Sequence, residues 1–262
     1  MILPVRYPDG KKHGKTMMKN KLYLSIGMPR AGSGWYYNLM HDLVVAGGGK
    51  DAREIRRRFL LQPVLTEINC NISVLSTPRV LLAIMPVLLG NSYVIKAHAG
   101  PGSLASRLMR AGWVKATYIY RDPRDALLSA FEYGERMRKK GGTNAFSGLE
   151  SIEDAIGFMK AYVCISDAWL AREDVLHVRY EDLLENYQRE AERLVDFLAL
   201  DIEQKRLDAV LDKYRPGTQG QGKKGLHFVK GKTRRFMKVF SPAQIAMCEE
   251  AFGDYLRRRG YA

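Results

Sequence analysis

With 262 residues the chain has room for one large domain or two small ones, and its 46% apolar and 27% charged residues exclude both a disordered chain and a fibrous repeat. Lys and Arg number 42 against 28 Asp and Glu, a net charge of +14 that calls for a polyanionic partner: a nucleotide, a nucleic acid, a sulfated glycan or an anionic membrane. The three cysteines, Cys70, Cys164 and Cys248, make neither a disulfide framework nor a zinc-ligand spacing, so a reducing, cytoplasmic compartment is expected.

In chain order, residues 1–20 are polar and basic with no apolar segment of the secretory type, and are expected to form a flexible arm ahead of a domain over 21–262. Lys21 to Ile26 (KLYLSI) is an apolar run of strand length, followed by a glycine turn and a helical pattern from Ser33 to Val45. Val80 to Gly90 (VLLAIMPVLLG) is the most apolar run. Pro86 interrupts it and it falls short of the roughly 20 residues needed to cross a bilayer, so it is expected to be a buried helix or a wall of the substrate site. Ser92 to Lys96 and Ala116 to Tyr120 read as further buried strands, and Pro123 to Arg138 as a helix with proline in its first turn. A helix over Ser151 to Ala171 opens with Ser151 three residues before Asp154, a variant of the capping box. The strand Val175 to Arg179, a helix over Glu181 to Leu198 and a last helix over Pro242 to Arg259 complete the alternation. Between the last two helices, Tyr214 to Arg235 carries five glycines, seven Lys or Arg and no acid, the composition of a linker or a closing loop. Strands alternating with helices predict an α/β fold, a single domain with a central parallel β-sheet flanked by helices.

Three strand ends carry chemistry. The first strand runs into Gly27-Met28-Pro29-Arg30-Ala31-Gly32-Ser33-Gly34-Trp35 and then a helix. Glycines let backbone N–H groups approach an anion there, and the helix dipole favours negative charge. A nucleoside-triphosphatase loop would place Lys after Gly32, where this chain has Ser33. Second, Lys96 and His98 sit two apart where a strand ends, so both side chains can face one cleft at the carboxyl end of a sheet. Third, the strand Ala116 to Tyr120 leads into Arg121-Asp122-Pro123-Arg124-Asp125 and, on the following helix, Ser129. Arginine offers a phosphate dianion bidentate, charge-assisted hydrogen bonds.

The order and spacing of these segments resemble the sulfotransferases that use 3′-phosphoadenosine 5′-phosphosulfate (PAPS), with their P-loop nucleotide-kinase-like fold. In that family the first loop reads Y-P-K-S-G-T-x-W. Arg30 stands at its lysine, Ser33 at its threonine and Trp35 at the tryptophan that stacks on adenine. Lys96 and His98 resemble K-T-H, whose histidine is the catalytic base. Arg121 and Ser129 resemble the pair that holds the donor's 3′-phosphate, and Tyr180, in Tyr180-Glu181-Asp182, a tyrosine near the adenine. Lys230 and Gly231 fit loosely the C-terminal loop over the 3′-phosphate, where Val229 replaces an arginine and Phe236 a tryptophan.

The resemblance implies sulfuryl transfer from PAPS to a hydroxyl or amine of a small-molecule or saccharide acceptor. Arg30 and the backbone of Ala31, Gly32, Ser33 and Gly34 would hold the 5′-phosphate, Lys96 would neutralise charge in the transition state, and His98 would take the acceptor's proton. No metal, nucleic acid or membrane partner is expected, and the oligomeric state is left open. The acceptor site is expected largely within Gly47 to Asn91, with Phe59, Phe131, Tyr133 and Phe146 as aromatic candidates. Two other readings stand beside this one: a P-loop kinase-like phosphotransferase, and a basic nucleotide- or nucleic-acid-binding module without catalysis.

Overall fold

The structure, a computed structural model, describes residues 20–217 and 231–262. The expected basic arm and the middle of the glycine-rich stretch, including Lys230, therefore lie outside the described residues.

Five strands, β1 (Leu22–Gly27), β2 (Asn71–Ile72), β3 (Tyr93–Ala97), β4 (Val114–Tyr120) and β5 (Val175–Arg179), form one sheet in the order β2-β3-β1-β4-β5. Every pairing is parallel, with Ser25 beside Lys96 and Gly27 beside Ile119. The strands read as nearly continuous apolar runs because helices cover both faces. Alternation decides which side chain goes where. Leu22, Leu24 and Ile26 enter one core, while Tyr23, Val94, Ile119 and Val178 enter the other.

Helix α1 (Ser33–Ala46) packs on the second face with α7 (Tyr180–Glu185), α8 (Tyr187–Leu198) and α9 (Gln204–Tyr214). The first face carries α2 (Ala52–Arg58), α3 (Thr77–Leu88), α4 (Ser103–Arg110), α5 (Pro123–Lys139), α6 (Ile152–Leu170), α10 (Phe236–Val239) and α11 (Pro242–Arg258). The Ser151 capping box is present in full at the start of α6, and Ser241 with Gln244 forms a second one at α11.

Two expectations are corrected. The helix expected over Glu181 to Leu198 is two, because Asn186 (φ −120°, ψ 42°) leaves the helical region and redirects the chain. The turn drops Tyr187 into the core beside Trp35, where its hydroxyl donates to the Leu211 carbonyl at 2.8 Å. The apolar run Val80 to Gly90 is neither wholly buried nor a wall of the cleft. It lies in α3, with Val80, Ala83, Ile84 and Val87 buried and the opposite side exposed. Among the described residues no helix is long and apolar enough to cross a membrane.

Candidate functional site

In a parallel sheet, ligands bind beyond the carboxyl ends of the strands, where the chain leaves neighbouring strands in opposite directions. Here that point is the end of β1, between β3 and β4. The order of the sheet thus sets the loop after β1 in the middle, Lys96 and His98 on one side and Arg121 on the other.

The central loop is built to leave donors free. Gly32 adopts φ 75°, and a Cβ there would stand 2.7 Å from the Tyr180 ring, so glycine is required on both counts. Gly32 caps α1 without any side-chain hydrogen bond, and the first turn holds no acid. The first N–H groups of a helix have no partner within the helix, and at α1 they face the cleft with the dipole uncompensated. Arg30 also has positive φ (65°). That turn aims its side chain toward α5, where Nε donates to Ser129 Oγ at 3.2 Å and the guanidinium lies 4.7 Å from the Tyr133 ring centre. Burial, and the positive charges of Arg136 and Arg121, hold the Arg30 guanidinium below its usual pKa, with Tyr133 and Glu132 opposing.

Lys96 is the next-to-last residue of β3, with 8% of its surface exposed. Burial, and secondarily Arg30, pull its ammonium down to about 8. His98 follows the strand, and its Nδ1 lies 2.6 Å from the Gly27 carbonyl oxygen. A carbonyl only accepts, so Nδ1 carries the proton and donates it, which leaves Nε2 with a free lone pair. Burial first and Lys96 second depress the imidazole to about 3, against a smaller opposing effect of the Gly27 bond, so His98 is neutral at physiological pH.

Arg121 ends β4. Its Nη2 donates to Asp125 Oδ2 at 3.1 Å and to the Lys232 carbonyl at 2.7 Å, and its guanidinium lies 4.5 Å from the Tyr180 ring centre. Its buried Nε has no partner among the described residues, a donor left over at the cleft. Gly231 and Lys232 complete this wall, and Arg235 pairs with Glu132 at 2.5 Å. Trp35 is buried, donates Nε1 to the Tyr214 carbonyl at 2.9 Å, and is stacked on Tyr187. It still forms part of the cleft wall, as does Tyr180.

The sequence-predicted residues Arg30, Gly32, Ser33, Gly34, Trp35, Lys96, His98, Arg121, Ser129, Tyr180 and Gly231 all line this one cavity of about 270 Å³. Ala31 is buried behind the loop, and Lys230 falls outside the described residues. The expectation for the acceptor side needs correction. From Gly47 to Asn91 only Asn69 reaches the cleft, because that stretch is spent on α2, the edge strand β2 and the crossover helix α3. Tyr133 and Phe146 do line it, whereas Phe59 and Phe131 pack against the main core. Missed were Phe158 and Tyr162 of α6 and Glu132 and Arg136 of α5. A signal was present: 129, 132, 133 and 136 fall at i, i+3, i+4 and i+7, one face of a helix, and 158 and 162 at i, i+4. Gly134 seats the segment that brings Phe146 in, since a Cβ there would meet the Phe146 carbonyl oxygen at 2.1 Å.

Comparison with known proteins gives the same direction from outside. A family model described as "Sulfotransferase domain" matches residues 23–253. Sulfotransferase 1A1 of Mus musculus is 24% identical over 195 residues, 70% of this chain and 61% of that protein's length. Among solved structures, mouse sulfotransferase SULT7A1 complexed with PAP aligns over 91% of this chain and 85% of its own, with TM-score 0.58 and 14% identity. A retinol dehydratase in complex with androsterone and inactive cofactor PAP aligns over 90% and 80%, with TM-score 0.55 and 15% identity. At these identities the structural likeness speaks for the fold.

Proposed function

The chain belongs to the sulfotransferase family, and we propose that it transfers a sulfuryl group from PAPS to the hydroxyl or amine of a small molecule with an apolar, partly aromatic body. One observation carries the donor half. Donors face one cleft from two sides: the start of α1, which has no side-chain cap, and, beside β4, the buried Nε of Arg121, which has no partner among the described residues. Six cations, Arg30, Lys96, Arg121, Arg136, Lys232 and Arg235, line the same cleft together with Glu132, an arrangement that fits a nucleotide carrying two phosphate groups and a sulfate.

The side chains divide the work by position. The α1 N-terminus and Arg30 would bind the 5′-phosphate. Arg121 and the Ser129 hydroxyl, on the β4 side, would bind the 3′-phosphate and exclude nucleotides that lack one. The sulfuryl group would then lie toward β3, before Lys96 and His98. There the acceptor oxygen bonds to sulfur as the bond from sulfur to the bridging oxygen breaks. The acceptor's proton passes to His98 Nε2, and the charge left on the departing phosphate is met by Lys96 and Arg30. Tyr133, Phe146, Phe158 and Tyr162, with ring centres 4.9–5.9 Å apart along the chain of contacts, would hold the acceptor's body. The androsterone in the retinol dehydratase complex is an apolar alcohol of that kind.

Calorimetric titration tests the reading, with PAP against ATP and 5′-AMP, followed by transfer of label from PAPS to a panel of phenols, alcohols and amines. Tight, selective PAP binding is expected. Equal binding of all three nucleotides, or of none, would overturn the donor assignment.

A further inference from the structure

Helix α3 is apolar all the way round. Its inner side, Val80, Ala83, Ile84 and Val87, is buried in the main core. Its outer side carries Leu81, Leu82, Met85 and Leu88, continued by Leu89 at the helix end, each with 48–65% of its surface exposed. These positions follow i, i+1, i+4, i+7 and i+8, so they form one stripe along a helix about 18 Å long. A surface helix ordinarily turns charged and polar side chains outward, and Arg79 is the helix's single charged residue.

The surroundings say what covers this stripe. No Asp or Glu occurs between Glu67 and Asp122, while Arg79, Arg107, Arg110 and Lys115 do. Helix α4 packs directly against α3 and presents Arg107 and Arg110 to solvent. An apolar ridge beside a helix with two exposed arginines suits a surface that is apolar inside and anionic at its rim; the acid on the α4 side, Asp174, is already paired with Arg172, which is bonded to Ser106 of α4. A second copy of the chain would set the same arginines, and a net charge of +14, against themselves. A nucleic acid offers nothing for the leucines.

We infer that the outer face of α3, with Arg107 and Arg110 of α4, docks on an anionic lipid surface. The leucines and Met85 enter the boundary between headgroups and acyl chains, and the arginines lie among the headgroup phosphates. The shortness of the run rules out a span, and a helix lying in the interface needs none.

The full chain is to be sedimented with vesicles of phosphatidylcholine alone and of phosphatidylcholine with phosphatidylserine, at low and high salt. Binding to the anionic vesicles only, weakened by salt, is expected. Leu81→Gln/Met85→Gln/Leu88→Gln, all at exposed positions, should lower the partition coefficient on the order of tenfold or more. Arg107→Glu/Arg110→Glu should do the same independently, at about fivefold per charge removed. Unchanged thermal unfolding midpoints check that each variant folds. A parent chain that stays in solution with both vesicles overturns the inference. So does equal binding to neutral vesicles, or anionic-vesicle binding that survives both variants. A parent that is a dimer by size-exclusion chromatography and becomes monomeric in the leucine variant also overturns it, in favour of a self-interface.

Discussion

Replacing Arg121 by alanine tests two consequences of the structure at once, and they can be separated. Arg121 is 6% exposed and its Nη2 neutralises Asp125, which is 1% exposed. Removing the cation leaves a buried carboxylate whose remaining partner among the described residues is the Phe236 backbone N–H at 3.1 Å. Breaking a buried pair from one side costs about 3–5 kcal/mol, so Arg121→Ala alone should be markedly less stable. Asp125→Asn on the same background removes the stranded charge while its Oδ1 still accepts from Phe236, and most of the lost stability should return. Binding is the second consequence. Charge-assisted hydrogen bonds contribute about 1.5–3 kcal/mol each, and a bidentate contact from Arg121 to the 3′-phosphate makes two. At 1.4 kcal/mol per factor of ten, PAP affinity should fall on the order of 10²- to 10⁴-fold. Affinity for 5′-AMP, which has no 3′-phosphate, should barely change. Calorimetric titration of the folded double variant with both nucleotides measures this directly. If Arg121→Ala/Asp125→Asn keeps the parent's preference for PAP over AMP, the placement of the 3′-phosphate beside Arg121 is wrong.

The remaining expectations concern the other side of the sheet. His98, held near 3 in the fold against 6.5 when unfolded, takes up a proton more readily unfolded than folded across that interval. The parent should therefore lose stability as pH falls from about 6.5 toward 3, and His98→Gln should lose less in the same denaturant titrations. Bound donor places negative charge beside the imidazole and raises its pKa, so the acid limb of kcat should lie at higher pH than that of kcat/KM; coincident or reversed limbs refute the assignment of His98 as base. Lys96→Met should lower kcat on the order of 10²- to 10³-fold while PAP affinity changes far less, and a loss confined to binding would move Lys96 out of the transition state. Gly32→Ala should abolish nucleotide binding and lower the thermal midpoint, and pairing it with Tyr180→Ala should not restore binding, because relief of the ring contact leaves the positive φ in place.

What the sequence disclosed follows from how each feature is encoded. The four long strands are contiguous apolar runs, and three of them lead straight into the residues of the site, so strand and motif were read together in KLYLSI-G, YVIK-A-H and ATYIY-R. The Ser151 cap was legible because both partners lie within four residues. Asn186 was less so, because its break in an otherwise periodic stretch depends on Tyr187 finding a place beneath Trp35, a contact 152 positions away in the chain. The acceptor wall was half legible for a similar reason. The α5 stripe of Ser129, Glu132, Tyr133 and Arg136 is local periodicity, but its meeting with Phe158 and Tyr162 depends on α5 and α6 packing together, which no window of sequence contains. The region 47–91 misled because a long stretch without motifs reads as room for a substrate, when here its residues build the far edge of the sheet.

The proposed donor side and the proposed acceptor side of this cleft are held by different means, and that explains why one was easier to read than the other. On the donor side the groups are fixed by backbone: a positive-φ turn, an uncapped helix start, and side chains one or two residues past a strand. Such constraints leave short signatures of glycine, lysine and arginine at fixed spacing. On the acceptor side, Arg30 lies over Tyr133, Tyr133 meets Phe146, and Phe146 meets Phe158, each contact made by side chains from a different element. Aromatic walls of this kind can be rebuilt with other residues without moving the sheet, so under the proposed function the chemistry would stay with the strand ends while the choice of acceptor would be carried by α5, α6 and the segment that Gly134 seats between them.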